Sequence, residues 1–212
     1  MALTDKLTAI GNALREKLGT AELIPLAQMP QKVAQTFQAG QQAERKTFWD
    51  VFQQGGTVPQ SYTYAFYGEK WTDENFNPQH PLYLGDNSNY AFLGSGITDT
   101  KVDIVLHKNA NTNNLFKSCA RLRRVRKLVV TENNSYLNAF AGCTALENLT
   151  IEGVIGNDLK VDECPLTRES LLSILQALKA GVSKTLTLGQ ANLDKLTEQE
   201  KAIAADKGWV LQ

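Results

Sequence analysis

The chain has 212 residues, enough for one sizeable core or a small domain with an appendage. Its 22 Lys plus Arg and 22 Asp plus Glu cancel to a formal net charge of zero, so nothing global draws it to nucleic acid or an anionic membrane. No apolar run approaches the roughly 18 residues of a membrane span, and an odd set of three cysteines (Cys119, Cys143, Cys164) suits reduced, buried thiols better than a disulfide framework.

The first predicted element is a helix. Leu3, Leu7, Ile10, Leu14 and Leu18 recur at steps of 4, 3, 4 and 4, one helical face, with Gly19 as terminator. The stretch is charged throughout and lacks the apolar core and small-residue cleavage site of a secretory leader, so synthesis and assembly in a cytoplasm are expected. Pro25 and Pro30 break the pattern. A second helix is expected from near Pro30 through Val33 and Phe37 toward Phe48 and Phe52, and "QQGGTVPQ" is a turn-rich boundary. Residues 1–54 thus read as a helical assembly segment. Two short helices are marginal alone in water, so their apolar faces need the rest of the chain, another copy or another component.

A repeat follows. "YAFYGEKW", "YAFLGSGI", "NLFKSCAR" and "NAFAGCTA" place Phe66, Phe92, Phe116 and Phe140 at steps of 26, 24 and 24. Cys119 and Cys143 share the 24-residue offset, as do Leu122 and Leu146. Each block leads into a short apolar alternation: Leu82 and Leu84; Val102, Ile104 and Leu106; Leu128 and Val130; Leu149 and Ile151. Each unit supplies one strand and one turn or short helix, and buries its apolar side only by stacking on a neighbour. Residues 55–190 are therefore expected to be a solenoid with a parallel strand ladder, coils about 4.8 Å apart, and a column of phenylalanines along the opposite wall. Period-two alternation puts Val102 and Ile104 inward and Asp103 outward.

The last unit departs from the pattern. "LTRESLLSILQALKAG" predicts a helix with Thr167 as N-cap, Leu171, Ile174, Leu175 and Leu178 on one face, and Gly181 as its stop. "KTLTLG" predicts a last strand with Leu186 and Leu188 inward. In residues 191–212, Thr197 and Glu200 have capping-box spacing and Gly208 ends a helix, a C-terminal cap for the stack. The fold class expected overall is α+β.

Motifs for chemistry do not emerge. His80 and His107 sit in no nucleophile, metal or acid–base pattern, and GxSxG, HExxH, CxxC and P-loop motifs are missing. "WTDEN" and "GDNSN" read as turns before calcium loops. No catalytic residue, metal site or cofactor is assigned. The basic run "KSCARLRRVRK" suggests either a patch for polyanions or a wall neutralised by the next coil; the 24-residue offset favours the second and sets Arg123 beside Glu147.

With these residues in view, the repeats, "AFAGCTALENLTI" above all, resemble the BspA-like leucine-rich repeat, an AF-x-x-C-x-x-L block leading into a short strand. The second unit carries Ser95 in place of the Cys. "LTAIGNALREKLGTAELIPLAQMPQKVAQ" looks like the N-terminal segment of bacteriophage and prophage structural proteins, and the segments around "FWDVFQQGG" and the C-terminus look like those that accompany such repeats in phages of Gram-positive hosts. The resemblance implies a non-enzymatic virion protein of tail fibre or baseplate type, localised to the virion. Its partners would be other virion proteins and a host-surface receptor, without nucleic acid or membrane insertion. Fibres of this kind are commonly trimers, so a homotrimer is favoured, with Leu3, Leu7, Ile10, Leu14, Leu18, Val33 and Phe37 as the seam. The contact face is expected on the outward side of the ladder: Asp103, Val105 and His107; Lys127, Val129 and Thr131; Asn148, Thr150 and Glu152; Thr185 and Thr187. A capsid decoration or head fibre, or a bacterial surface adhesin, are the alternative readings.

Overall fold

The computed structural model describes residues 64–212. The expected helices of residues 1–54, with Leu3, Leu7, Ile10, Leu14, Leu18, Val33 and Phe37, lie outside the described residues. Within residues 64–212 the architecture is α/β rather than α+β: strands form two sheets, every strand pair is parallel, and helices are few.

The first sheet runs in chain order through β1 (Leu82–Leu84), β2 (Asp103–Leu106), β3 (Arg124–Val130) and β4 (Asn148–Gly153). Its register repeats the apolar alternation. Leu82 pairs with Ile104, Ile104 with Leu128 and Leu128 with Ile151, a row of side chains buried on one face. Val102 does not join it; it precedes β2 and is half-buried, and Ile104 and Leu106 fill the inner face instead.

The opposite wall is made of overlapping turns, not helices. In each unit two residues four apart adopt a left-handed backbone: Tyr64 and Gly68, Tyr90 and Gly94, Asn114 and Ser118, Asn138 and Gly142. These reversals aim alternate amides at the next unit. The Tyr90, Phe92 and Gly94 amides donate to the carbonyls of Asn113, Leu115 and Lys117, and those of Asn114, Phe116 and Ser118 to Leu137, Ala139 and Ala141. The turn wall therefore has its own ladder of unit-to-unit hydrogen bonds, which satisfies backbone that a buried loop would leave stranded. Gly142 tolerates its φ of 75° for want of a side chain, and a Cβ there would lie 3.2 Å from Ser118 Cα.

Between the walls the phenylalanines form the expected column. Ring centroids are 4.6 Å apart for Phe66–Phe92, 4.9 Å for Phe92–Phe116 and 5.7 Å for Phe116–Phe140, with interplanar angles of 20°, 23° and 21°. Trp71 and Phe76 meet Phe66 edge-on. A column of thiols runs beside the rings. Cys119, Cys143 and Cys164 donate to the carbonyls of Phe92, Phe116 and Phe140, each from the following unit, and all three are buried and free. Cys164 is the third rung.

Beyond β4 the two walls change roles. Helix α1 (Arg168–Ala177) packs on the open edge of β4. Thr167 caps it as expected, but it ends before Leu178, ahead of the expected stop at Gly181. Its hydroxyls occupy the strand's bonding positions: Leu149 N–H donates to Ser170 Oγ at 2.9 Å and Ile151 N–H to Ser173 Oγ at 2.7 Å. The helix thereby covers an edge that would otherwise invite another strand. The second sheet, of order β5-β6-β7, comprises β5 (Leu159–Lys160), β6 (Lys184–Thr187) and β7 (Trp209–Leu211). "KTLTLG" is therefore not the last strand. The C-terminal segment contributes α2 (Gln190–Leu193), α3 (Glu198–Asp206, with the Thr197–Glu200 capping box formed) and then β7.

Candidate functional site

The expected contact face divides between the two sheets. On the first, Asp103 pairs in register with Lys127, and Tyr83, Val105, Val129 and Glu152 form one outward row. A bulge between Val125 and Leu128 sets Arg126 and Lys127 together on the outer side, against the single Thr150. Lys127 Nζ bonds Glu152 at 2.7 Å and lies 3.8 Å from Asp103, while Arg126 reaches Asp103 at 3.4 Å. The Glu152 hydrogen bond, then its charge, pushes the Lys127 ammonium above its ordinary value. Asn148 pairs with Arg124. His107 follows β2, exposed and paired with Asp86, and Thr131 donates its hydroxyl to Lys108 O at 2.7 Å. Most charged groups of this face thus satisfy one another in a solvated array, where each exposed pair contributes roughly 0–1 kcal/mol.

Three cations of the basic run are paired, though not as the offset suggested; Lys117, Arg121 and Arg123 have no ion pair among the described residues. Arg124 pairs with Asp99 and Arg126 with Asp103, both of the preceding unit, and Lys127 bridges to the following one. Arg123 meets Glu147 through the backbone, its carbonyl accepting from Glu147 N–H, and makes no ion pair with it. A further carboxylate, Asp73, holds the first units together. It accepts from Thr98 N–H at 2.9 Å and Thr98 Oγ1 at 2.5 Å, and the Lys101 ammonium binds Asp73 O and Phe76 O. Burial alone would raise the Asp73 carboxyl; the Thr98 hydrogen bonds and the Lys101 charge outweigh it and hold the group below its ordinary value.

Thr185 and Thr187 belong elsewhere. They lie on β6 of the second sheet, in register with Val210 and Lys160. There they line a groove of about 460 Å³ between β5 and β6 on one side and the turn wall around Tyr136, Leu137 and Asn138 on the other. Asn113, Ser135, Asn157, Asp158, Lys160 and Lys184 complete its polar lining. Several of these groups hold the groove in shape. Asn113 Oδ1 accepts from Leu137 N–H at 3.0 Å, Asn157 Nδ2 donates to Asn134 O at 3.0 Å, and Asp158 Oδ1 accepts from Thr185 N–H at 2.8 Å. Tyr136 is 4% exposed and its hydroxyl has no hydrogen-bond partner among the described residues; burial pushes its pKa well up.

Sequence reasoning found two threonines of this groove and missed the rest. One signal was present: Asn109, Asn133 and Asn157 recur at steps of 24. The polar repeat marks the corner at which the strand wall turns into the turn wall, and Asn133 Nδ2 donates to Asn109 Oδ1 across it.

For chemistry, the arrangement offers little nucleophilic or metal-binding character. Burial pushes the Cys119 thiol up to about 12, and contact with the Cys164 thiol, then burial, raises Cys143 further, so these sulfurs stay protonated. Among the described residues no group of three His, Cys, Asp or Glu could hold a metal ion, and no helix is long and apolar enough to cross a membrane. No known protein family, curated protein or solved structure matches the chain.

Proposed function

We propose that residues 64–212 form a short leucine-rich-repeat-like solenoid whose rigid outer walls touch other molecules, and that the chain is a non-enzymatic phage virion protein of tail fibre or baseplate type. The observation that carries the contact reading is the stacked Phe66–Phe92–Phe116–Phe140 column between two hydrogen-bonded walls. It spends the interior on packing and leaves the polar side chains at fixed spacing outside, as a scaffold for recognition needs. The virion assignment is supported by the likeness of the N-terminal stretch and of the segments flanking the repeats. In this reading residues 1–54 join the chain to its own copies, as a trimer, and to the particle. Leu7, Ile10 and Leu14 would then be seam residues, each burying roughly 1.5–3 kcal/mol if fully covered.

The test uses the full chain. Replacing Leu7, Ile10 and Leu14 together by Gln should convert a trimer to a monomer in sedimentation while the thermal transition of the repeat region is unchanged. Antibody raised against residues 64–212 should decorate purified particles at the tail and block adsorption. A wild-type monomer, or particles that carry none of the protein, would overturn the respective half of the proposal; label on the head would reassign it to a capsid decoration.

A further inference from the structure

We propose that the groove between the Tyr136–Asn138 turn and strand β6 binds a neutral, polyhydroxylated ligand, a saccharide of one or two rings. This rests on the contact reading above and names its ligand class. Three observations carry it.

The first is size and place. At about 460 Å³ the groove lies within the range of roughly 300–1,000 Å³ usual for small-ligand sites. It is framed by backbone on both sides, since the turn wall and β6 are each tied into hydrogen-bonded ladders.

The second is which polar groups are already used. The Asn113, Asn157 and Asp158 oxygen and nitrogen atoms described above support the frame. The Asn138 amide and the Thr185 and Thr187 hydroxyls have no such duty: no side-chain hydrogen bond within the described residues engages them, and they line the groove. Thr185 and Thr187 sit two residues apart on one face of β6, roughly 6.6 Å along the strand. Each hydroxyl donates and accepts, and the amide does both through separate atoms. That set matches the vicinal hydroxyls of a sugar, which also donate and accept, better than it matches an anion, which only accepts.

The third is charge. Asp158, Lys160 and Lys184 are the charged side chains lining the groove. Asp158 accepts from Thr185 N–H, and Lys160 sits 3.4 Å from Asp162. Among the described residues Asp158 and Lys184 have no ion pair, and their charges are opposite, so the lining offers too little net charge to favour a polyanion. Leu137, 65% exposed at the rim, supplies the apolar surface against which the C–H face of a sugar ring packs.

The experiment is binding of the full chain to a printed panel of neutral oligosaccharides covering hexose, N-acetylhexosamine and deoxyhexose residues, with heparin and hyaluronate as anionic comparators. Saturable binding to at least one neutral member is expected, with affinity reduced at least fivefold in Asn138→Ala and in the isosteric pair Thr185→Val with Thr187→Val. The thermal transition of each variant should match wild type, which separates lost contact from lost fold. Absence of binding to every neutral member, equal binding by the variants, or preference for heparin would overturn the proposal. If particle labelling and adsorption block succeed while the panel fails, the contact function stands and its occupant is a protein surface.

Discussion

Residues 64–153 and residues 154–212 solve the same problem in different ways. In the first region each unit is covered by a copy of itself: strand on strand, ring on ring, turn on turn. In the second the copies stop, and each wall is closed by a different device. Two serines of α1 occupy the bonding edge of β4, and the turn side gains the short sheet β5-β6-β7. Repetition lets one sequence pattern serve four times, but it always leaves an uncovered last copy. The terminal region shows how that copy is covered without offering a surface for a fifth. It also explains why the groove lies at the join, where two unlike walls meet and do not interdigitate.

The largest effect that would break this comparison is loss of a middle ring. Phe116 stacks on both Phe92 and Phe140 and is fully buried. Phe116→Ala should cost about 3–5 kcal/mol, read as a fall in the urea midpoint. Phe140, with a single ring neighbour at 5.7 Å, should cost less on the same substitution. Equal losses at the two positions would mean that the column does not act as a continuous unit.

How far this was legible from the residues depended on whether a feature repeats. The phenylalanine ladder, the strand rows and the caps at Thr167 and Thr197 could be read because each is a local pattern with a fixed spacing. The bulge at Arg126–Lys127 could not, since it slips the offset from 24 to 23 within one strand, so that Leu128 faces Ile151 rather than Glu152. Cys164 was opaque for a related reason: its distance from Cys143 is 21, not 24, because the last unit is shortened where β4 gives way to the helix. The groove fared worst. Its two sides come from Tyr136–Asn138 and Lys184–Thr187, far apart in sequence, and only the parallel pairing of β6 with β5 brings them together.

A mid-sized effect sharpens the account of the cap. Ser170→Ala with Ser173→Ala removes the acceptors of the Leu149 and Ile151 amides without altering the apolar face of α1. The buried Leu149 donor left unsatisfied should cost about 1–3 kcal/mol, and the part-buried Ile151 donor, nearer water, less. Amide exchange should accelerate at Leu149 and Ile151 before it does at Leu128, which lies one strand further in. Uniform acceleration across the sheet would show instead that α1 holds the edge by packing alone.

The smallest expected effect is a gain, and it tests whether the thiol column belongs to the repeat. Ser95 stands where Cys119 and Cys143 stand in the next units, and its amide makes the same bond, to Phe92 O at 2.9 Å, that theirs make to Phe116 O and Phe140 O. It is 2% exposed, yet its hydroxyl has no hydrogen-bond partner among the described residues. The thiols differ in reach: a C–S bond is longer than a C–O bond, and Cys119 spans to Phe92 O, one unit back, at 2.9 Å. Ser95→Cys should therefore extend the column by one rung, replace an unsatisfied hydroxyl by a weakly polar thiol, and stabilise the region by about 1 kcal/mol. The urea midpoint should rise with no change in slope. A fall would mean that the first units, spaced 26 residues apart rather than 24, close too tightly for sulfur, and that the serine is fitted to that narrower gap.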